Sequence, residues 1–233
     1  MRRDLLNEIL ELKARGEPVA LVTNLATGLQ DIVTATRTGA RLDLSISDLV
    51  AARQALIDDR SGEIETTGHR LFVHVHNPAA RLMIVGAVHI SQSLAPMAML
   101  AGYQVTVIDP RRSFASADRF PGIDLRHDWP DEALEVLRPD SRSAIVTLTH
   151  DPKLDDPALT FALRSPAFYI GALGSKKTHA ARLERLQAEG FSAADCMRIH
   201  GPAGLDIGAK SPAEIAISVM AQLTAALHRR PTR

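Results

Sequence analysis

The chain has 233 residues, 45% of them hydrophobic, and its 27 basic side chains balance 27 acidic ones. This length and apolar content suffice to bury a core, while the neutral charge gives no field that would attract nucleic acid or an anionic membrane. Cys196 is the only cysteine, which excludes an internal disulfide and a cysteine-based metal cage. No apolar run approaches the length that spans a bilayer, so we expect a soluble, cytoplasmic protein.

The first 78 residues predict a small α+β domain. Apolar side chains recur at helical spacing in residues 5–12 and predict a first helix. The elements predicted after it are strands at residues 19–23 and 32–36, a helix from an N-cap at Ser47 to about residue 57, and a hairpin around Thr67 and Gly68. The break in pattern at residues 77–80 places a domain boundary near Pro78.

Residues 79–233 alternate between strand and helix patterns. Strands are predicted at residues 82–85, 104–108, 144–149, 168–170 and 197–200. Helices are predicted at residues 91–101, 131–137, 157–163, 176–188 and 212–228. Aspartate before proline at Asp156 predicts one helix start, and Ser211 with Glu214 predicts another through a capping box. Alternation with strands that are apolar on both faces predicts an α/β fold with a Rossmann-like, doubly wound parallel sheet.

The loop after the first strand of this region lies where a dinucleotide-binding fold carries its glycine fingerprint. Gly86, Ala87 and His89 are candidate ligand contacts there, and Asp109 ends the second strand near the position of a ribose-binding acid. Val88 replaces the glycine that would admit a pyrophosphate, so ordinary NAD(P) binding is not favoured. The helix start still attracts anions, and the alternative is a turn that only joins strand to helix.

His150 and Asp151 follow the strand at residues 144–149. A histidine exchanges protons near neutral pH, and an aspartate can orient it. The alternative is a simple turn at Asp151 and Pro152, which leaves His150 without a role. We therefore predict that both residues contact the ligand, and they are the candidates if the protein has a catalytic activity.

A glycine-rich loop with a following lysine precedes the helix at residues 176–188. Its candidate ligand residues are Gly171, Gly174, Ser175 and Lys176. Backbone N–H groups, a hydroxyl and a cation converge there at the positive end of a helix dipole, which is typical of a phosphate site. The spacing is not that of an ATP-hydrolysing P-loop, and a glycine turn with an N-cap serine is the alternative.

The loop before the last helix carries further glycines. Its candidate ligand residues are Gly204, Asp206, Gly208 and Lys210. Glycine permits a close approach of ligand to backbone, whereas a plain connection between elements is the alternative. Metal binding is not predicted, because His74 and His76 share a strand face without a carboxylate partner.

With these residues in place, residues 81–233 resemble the C-terminal Rossmann domain of the XdhC/CoxI family, the xanthine dehydrogenase accessory factors. The stretches that carry the resemblance are residues 82–92, 105–111, 114–122, 149–156, 169–175 and 201–218. The resemblance implies that the protein binds the molybdenum cofactor, as molybdopterin or its dinucleotide form. It also implies that the protein assists sulfuration of the cofactor and its insertion into xanthine dehydrogenase or a related molybdenum hydroxylase. The implied role is that of a non-enzymatic maturation factor.

The chain departs from the family pattern in two places. Fuller members carry a Ser-Ala-Pro-Arg-type stretch and a Gly-Gly-Cys motif whose cysteine is linked to the cofactor, and residues 1–80 contain neither. The first loop commonly reads Gly-Ala-Gly-His, but Val88 stands third here. These departures imply a short form that relies on a partner for the missing half. A cysteine desulfurase is another partner implied by the resemblance, and an apolar face of the N-terminal region could support a homodimer.

Two other functions remain open. The first is an NAD(P)-dependent oxidoreductase, with Asp109 on the ribose and His150 as acid or base. The second is a docking module that contacts a hydroxylase and binds no small molecule.

Overall fold

The computed structural model of the protein describes residues 2–66 and 68–228. The chain divides into two compact units, residues 1–78 and residues 79–233. Within the described part of the chain, no helix combines the length and the apolar character needed to cross a membrane. Thr67, in the predicted hairpin turn, lies outside the described residues.

The first unit is a four-stranded antiparallel sheet with a helix on each face. Its strands are β1 (Val19–Asn24), β2 (Gln30–Val33), β3 (Gly62–Glu65) and β4 (Arg70–His76), in the spatial order β2-β1-β4-β3. Its helices are α1 (Arg3–Ala14) and α2 (Ile46–Ile57). Successive side chains of a strand point to opposite faces. Leu21 of β1 accordingly joins the α1 cluster, and Val22 joins the α2 cluster.

Helix α2 begins two residues earlier than predicted, because its N-cap is Ser45 rather than Ser47. The Ser45 hydroxyl accepts a hydrogen bond from the Asp48 amide at 3.2 Å, and the Asp48 carboxylate accepts one from the Ser45 amide at 2.9 Å. Only Ser45 has an acidic residue three positions later, so only Ser45 can form this reciprocal capping box.

Asp48 should make the first unit sensitive to acid. Its buried carboxylate accepts hydrogen bonds from Thr66, from Ser45 and from Nδ1 of His69 at 2.8 Å. Burial alone would raise the pKa of Asp48, but these hydrogen bonds outweigh it and lower the pKa to about 2. Because this value lies below that of the unfolded chain, the stabilisation of about 2 kcal/mol is present above about pH 4 and is lost towards pH 2.

We therefore expect Asp48→Asn to lower the free energy of unfolding by about 2 kcal/mol at pH 7 and to flatten its dependence on pH between about 4 and 2. Denaturant unfolding followed across this pH range measures both effects. The exposed Asp43 provides the control, and Asp43→Asn should stay within about 0.5 kcal/mol of the unmodified protein. An unchanged acid dependence in Asp48→Asn would contradict the assignment.

The second unit is a six-stranded parallel sheet. Its strands are β5 (Arg81–Val85), β6 (Gln104–Ile108), β7 (Asp124–Arg126), β8 (Ser143–Thr147), β9 (Tyr169–Ala172) and β10 (Ile199–His200), in the spatial order β10-β9-β8-β5-β6-β7. Its helices are α3 (His89–Leu100), α4 (Pro130–Leu137), α5 (Pro152–Arg164), α6 (Lys176–Ala188), α7 (Ala193–Cys196) and α8 (Pro212–Leu227). The order reverses between β5 and β8, as in dinucleotide-binding folds. The predicted Rossmann-like fold is confirmed.

Helices cover both faces of this sheet. Leu82 and Ile84 of β5 pack in one apolar cluster with α3 and α8, whereas Met83 and Val85 pack in a second with α4, α5 and α6. Both clusters consist largely of side chains with almost no exposed surface. This packing fixes the strands and therefore the positions of the loops at their carboxyl ends.

Helix α5 begins at Pro152, five residues before the predicted start at Pro157. Its N-cap is Asp151, whose carboxylate accepts a hydrogen bond from the Lys153 amide at 3.0 Å. Both aspartate–proline pairs fit the pattern of a helix start, and the structure uses the earlier one. Asp156 instead forms an ion pair with Arg185, with N–O distances of 2.6 and 3.0 Å.

Candidate functional site

The loops after β5, β8, β9 and β10 lie at the carboxyl edge of the parallel sheet. Ligands of doubly wound sheets bind outside this edge, next to the point where the strand order reverses. Here that point lies between β5 and β8. The candidate site is therefore built from the loop after β5 on one side and the loops after β8, β9 and β10 on the other.

The loop after β5 packs directly against the loop after β8. Gly86 has a φ of +110°, and a Cβ atom there would lie 2.6 Å from Cγ2 of Thr149. Only glycine fits this close approach. Ala87 is buried, and His89 is exposed at the first position of α3. The loops after β5 and β8 are therefore in direct contact at this point.

Asp109 links the loops after β5 and β6. Its buried carboxylate accepts hydrogen bonds from the amides of Ala87 at 2.8 Å and Arg111 at 3.0 Å. It also accepts two from the Arg111 guanidinium, at 2.9 and 2.7 Å. Burial opposes ionisation, but the hydrogen bonds from Arg111 and Ala87 prevail and lower the pKa of Asp109. Four donors occupy the four lone-pair positions of the carboxylate, which does not favour the NAD(P) alternative in which Asp109 binds ribose.

His150 is held in a left-handed backbone conformation by the buried Asp155. The φ of His150 is +62°, and its amide donates to the Asp155 carboxylate at 3.1 Å. The Thr149 hydroxyl donates to the same carboxylate at 2.6 Å. Asp151 serves as the N-cap of α5, and among the described residues no hydrogen bond joins its carboxylate to the His150 ring. The predicted orienting contact between Asp151 and His150 is therefore not seen.

A buried ion pair connects this loop to the next. Arg182 of α6 lies 3.5 Å from the Asp155 carboxylate, and both side chains are only 2% exposed. Nη2 of Arg182 also donates to the Leu173 carbonyl, in the loop after β9, at 3.0 Å. Burial raises the pKa of Asp155 and lowers that of Arg182, and the opposite charge offsets part of each shift. Sequence reasoning missed Arg182, although its position seven residues after Ser175 places it on the helix face that bears the N-cap.

The loop after β9 brings its glycine turn close to His150. Gly174 has a φ of +146°, and a Cβ atom there would lie 3.8 Å from Nδ1 of His150. Ser175 is the N-cap of α6, because its hydroxyl accepts a hydrogen bond from the Thr178 amide at 3.1 Å. Lys176 and Lys177 are exposed. The first N–H groups of α6 thus face the same region as His150, since helix starts leave these donors without intrahelical partners.

Three predicted site residues have structural roles, two in the packing of the sheet and of α8 and one in a turn. Gly171 lies inside β9 rather than in the loop, and a Cβ atom there would lie 2.8 Å from the Tyr169 ring. The Gly204 amide donates to Gln222 of α8 at 2.8 Å. Gly208 has a φ of +75° with no neighbouring atom within 4 Å of a Cβ position, so it serves the turn.

Asp206 and Lys210 lie on the exposed part of the last loop. In the part of the chain that the structure describes, neither side chain forms a hydrogen bond or an ion pair. The structure therefore brings Gly86, Ala87, Asp109, His150 and Gly174 into one connected set, through contacts described above. It leaves Asp206 and Lys210 at the surface of this loop.

The sequence model of one known protein family, described as the XdhC Rossmann domain, matches residues 82–223. A solved structure described as a xanthine dehydrogenase from Bacillus halodurans superposes with a TM-score of 0.75, at 24% identity over 97% of this chain and 67% of that one. At this identity the superposition shows a shared fold.

Curated relatives match about two thirds of the chain. The uncharacterized protein YqeB of Escherichia coli is 32% identical over 69% of this chain and 30% of its own length. The molybdenum cofactor insertion chaperone PaoD of Escherichia coli is 31% identical over 63% of this chain and 40% of its own. A probable xanthine dehydrogenase subunit of Bacillus subtilis is 32% identical over 66% of this chain and 44% of its own. The chain thus spans less than half the length of these relatives. Because the family match covers most of the second unit, the chain belongs to the XdhC family.

Proposed function

We propose that the protein is an accessory factor that binds the molybdenum cofactor and assists its insertion into xanthine dehydrogenase or a related molybdenum hydroxylase. The family match supports this role, as do relatives named as a cofactor insertion chaperone and as part of a xanthine dehydrogenase. The observation that carries the proposal is the convergence of His150, the Gly174 turn and the start of α6 at one sheet edge. The proposed location is the cytoplasm, since the free thiol of Cys196 suits a reducing compartment.

The chemistry of the residues present fits a phosphate-bearing cofactor. The start of α6 offers free N–H donors beside the Ser175 hydroxyl, and Lys176 and Lys177 add two exposed cations. Donors and cations are the groups that a phosphate requires. The negative charge of Asp151 is partly offset by the positive end of α5, which it caps, and that of Asp155 is partly offset by Arg182.

These donors indicate which part of the cofactor each group of residues would contact. The cofactor supplies redox chemistry to the enzyme that receives it, whereas the residues at the start of α6 hold its phosphate end. His150, next to this point, would contact the head of the ligand. Sulfuration, a cysteine desulfurase as sulfur donor, and a homodimer remain further parts of the proposal. The bound form would be molybdopterin or its dinucleotide.

Binding of purified protein to the molybdenum cofactor tests the proposal directly. We expect saturable binding, and we expect Lys176→Glu combined with Lys177→Glu to weaken it at least about tenfold, which corresponds to about 1.4 kcal/mol. Arg3→Glu with Lys13→Glu reverses the same charge on α1 and should leave the affinity unchanged. Equilibrium titration followed by fluorescence measures all three proteins. No saturable binding, with or without the recipient enzyme, would contradict a cofactor-binding role and would favour a docking module.

A further inference from the structure

We propose that Arg182 and His179 form the buried end of an anion site beneath the loop at residues 173–175, suited to a phosphate monoester or a diphosphate. This inference rests on the function proposed above and deepens it, because it assigns the groups that hold the phosphate end of the ligand. Neither residue belongs to the exposed cations at the start of α6. The site therefore differs from a simple surface attraction.

Arg182 is a buried cation, and most of its N–H donors have no hydrogen-bond acceptor among the described residues. Its side chain is 2% exposed, and Nη2 is its only nitrogen with a hydrogen-bond acceptor among the described residues. The distance of 3.5 Å to Asp155 exceeds that of a normal charge-assisted hydrogen bond. Asp155 is also engaged by Thr149 and His150. Buried guanidinium groups normally find acceptors, so Nε and Nη1 mark a place for one.

His179, beside Arg182, also has a buried nitrogen without a hydrogen-bond partner among the described residues. Its Nδ1 is buried and lacks a hydrogen-bond partner within the described chain. A Cβ atom on Gly201 would lie 2.1 Å from this Nδ1, so the ring packs directly on the loop after β10. His179 precedes Arg182 by three residues on α6, a spacing that makes the two side chains neighbours on the helix surface.

The direction of its side chain places Arg182 under the glycine turn. Ser175, His179 and Arg182 are spaced by four and three residues, which puts them on one face of α6. Long side chains on a helix point towards its N-terminus. The hydrogen bond from Arg182 to the Leu173 carbonyl confirms that the guanidinium reaches the loop that precedes the helix. The free N–H groups of the helix start, the Ser175 hydroxyl and the buried cation therefore approach the same loop.

Access to this pair requires the loop at residues 173–175 to move. Gly174, with a φ of +146°, is the residue in the loop whose backbone can change conformation at least cost. An anion that enters there accepts hydrogen bonds from the free donors of Arg182 and from the amides at the start of α6. Because an oxyanion accepts several hydrogen bonds at once, phosphate matches this set better than chloride does.

An NMR spectrum of the arginine Nε–H groups tests the site in the unmodified full chain, without any substitution. Inorganic phosphate stands for a monoester and pyrophosphate for the bridge of a dinucleotide, each titrated at constant ionic strength against chloride. We expect the Arg182 signal to shift saturably with one of them, and the more effective anion identifies the form of the ligand. The proposal would be overturned if the Arg182 signal did not shift, whether or not the anions bind elsewhere on the protein.

Matched variants separate Arg182 from charge alone. Arg182→Lys keeps the charge but removes the donors at Nε and Nη1, and we expect the affinity for the effective anion to fall at least about tenfold. Arg185→Lys makes the same exchange three positions further along α6, where Arg185 pairs with Asp156, and should have no effect. Equal losses in both variants would overturn the proposal. If Arg182→Lys does not fold, the spectrum of the unmodified protein decides.

The test of the Arg182 site and the test of cofactor binding can fail independently of each other. Binding of the molybdenum cofactor with a fixed Arg182 signal leaves the accessory role intact and removes this site. A saturable Arg182 shift with phosphate, in a protein that does not bind the cofactor, establishes the anion site and removes the role.

Discussion

Asp155→Ala should lower the free energy of unfolding of the second unit by about 3–5 kcal/mol, because it leaves the charge of Arg182 buried without its partner. The same change removes the acceptor that holds the Thr149 hydroxyl and the His150 amide. We expect His150 to lose its left-handed conformation, since a non-glycine residue keeps that backbone only when its surroundings impose it. The substitution should therefore weaken ligand binding even in conditions where the protein remains folded.

Asp156→Ala is the matched control for this substitution. Asp156 is the next residue along the chain and also pairs with an arginine, but Arg185 is 41% exposed, and such pairs contribute less than about 1 kcal/mol. The only tryptophan, Trp129, lies at the N-cap of α4 in the second unit, so its fluorescence follows unfolding of that unit in urea. Similar midpoints for the two variants would contradict the assignment of Asp155 as the buried connection between the loops.

Gly204→Ala should destabilise the second unit by about 3 kcal/mol, through backbone strain and overpacking together. The φ of Gly204 is +100°, and a Cβ atom there would lie 2.2 Å from the Ser218 hydroxyl and 3.2 Å from the Ser218 carbonyl carbon. Because part of this clash is with helix backbone, a change of the Ser218 rotamer cannot relieve it.

Gly208→Ala separates the two contributions to this effect. Gly208 lies in the same loop with a φ of +75°, and nothing lies within 4 Å of its Cβ position. Only the cost of a left-handed backbone remains there, about 1 kcal/mol. Urea unfolding of both variants measures the difference of about 2 kcal/mol. An equal loss in both would mean that the contact with Ser218 relaxes freely and that strain alone selects glycine at position 204.

The fold class could be predicted from the sequence because it depends on patterns that are long and redundant. Strands buried on both faces give continuous apolar runs, and the helices between them give the alternation of an α/β fold. The capping box of Ser211 and Glu214 is confirmed for the same reason, since the whole signal lies within four residues. Strand β7 was not predicted, because its three residues, two of them charged, lack an apolar run.

Errors occurred where two local patterns competed. Asp151 and Asp156 each precede a proline. The sequence alone does not show that Asp156 forms an ion pair with Arg185, 29 residues away. The site shows the same limit on a larger scale. The cap at Ser175 follows from local spacing, but the role of Arg182 depends on Asp155, which folding brings to it from another helix.

Strand β3 has a consequence for self-association. It forms one edge of the antiparallel sheet, and its exposed side chains are Glu63 and Glu65. If two copies joined their sheets through this edge in antiparallel register, carboxylates of one copy would face carboxylates of the other. Like charges opposite each other disfavour strand pairing, and natural sheets use charged edges to prevent aggregation. At neutral pH these carboxylates disfavour the pairing of β3 with a second copy of itself, and the ion pair of Glu63 with Arg70 on the neighbouring strand, at 3.3 Å, offsets part of this repulsion.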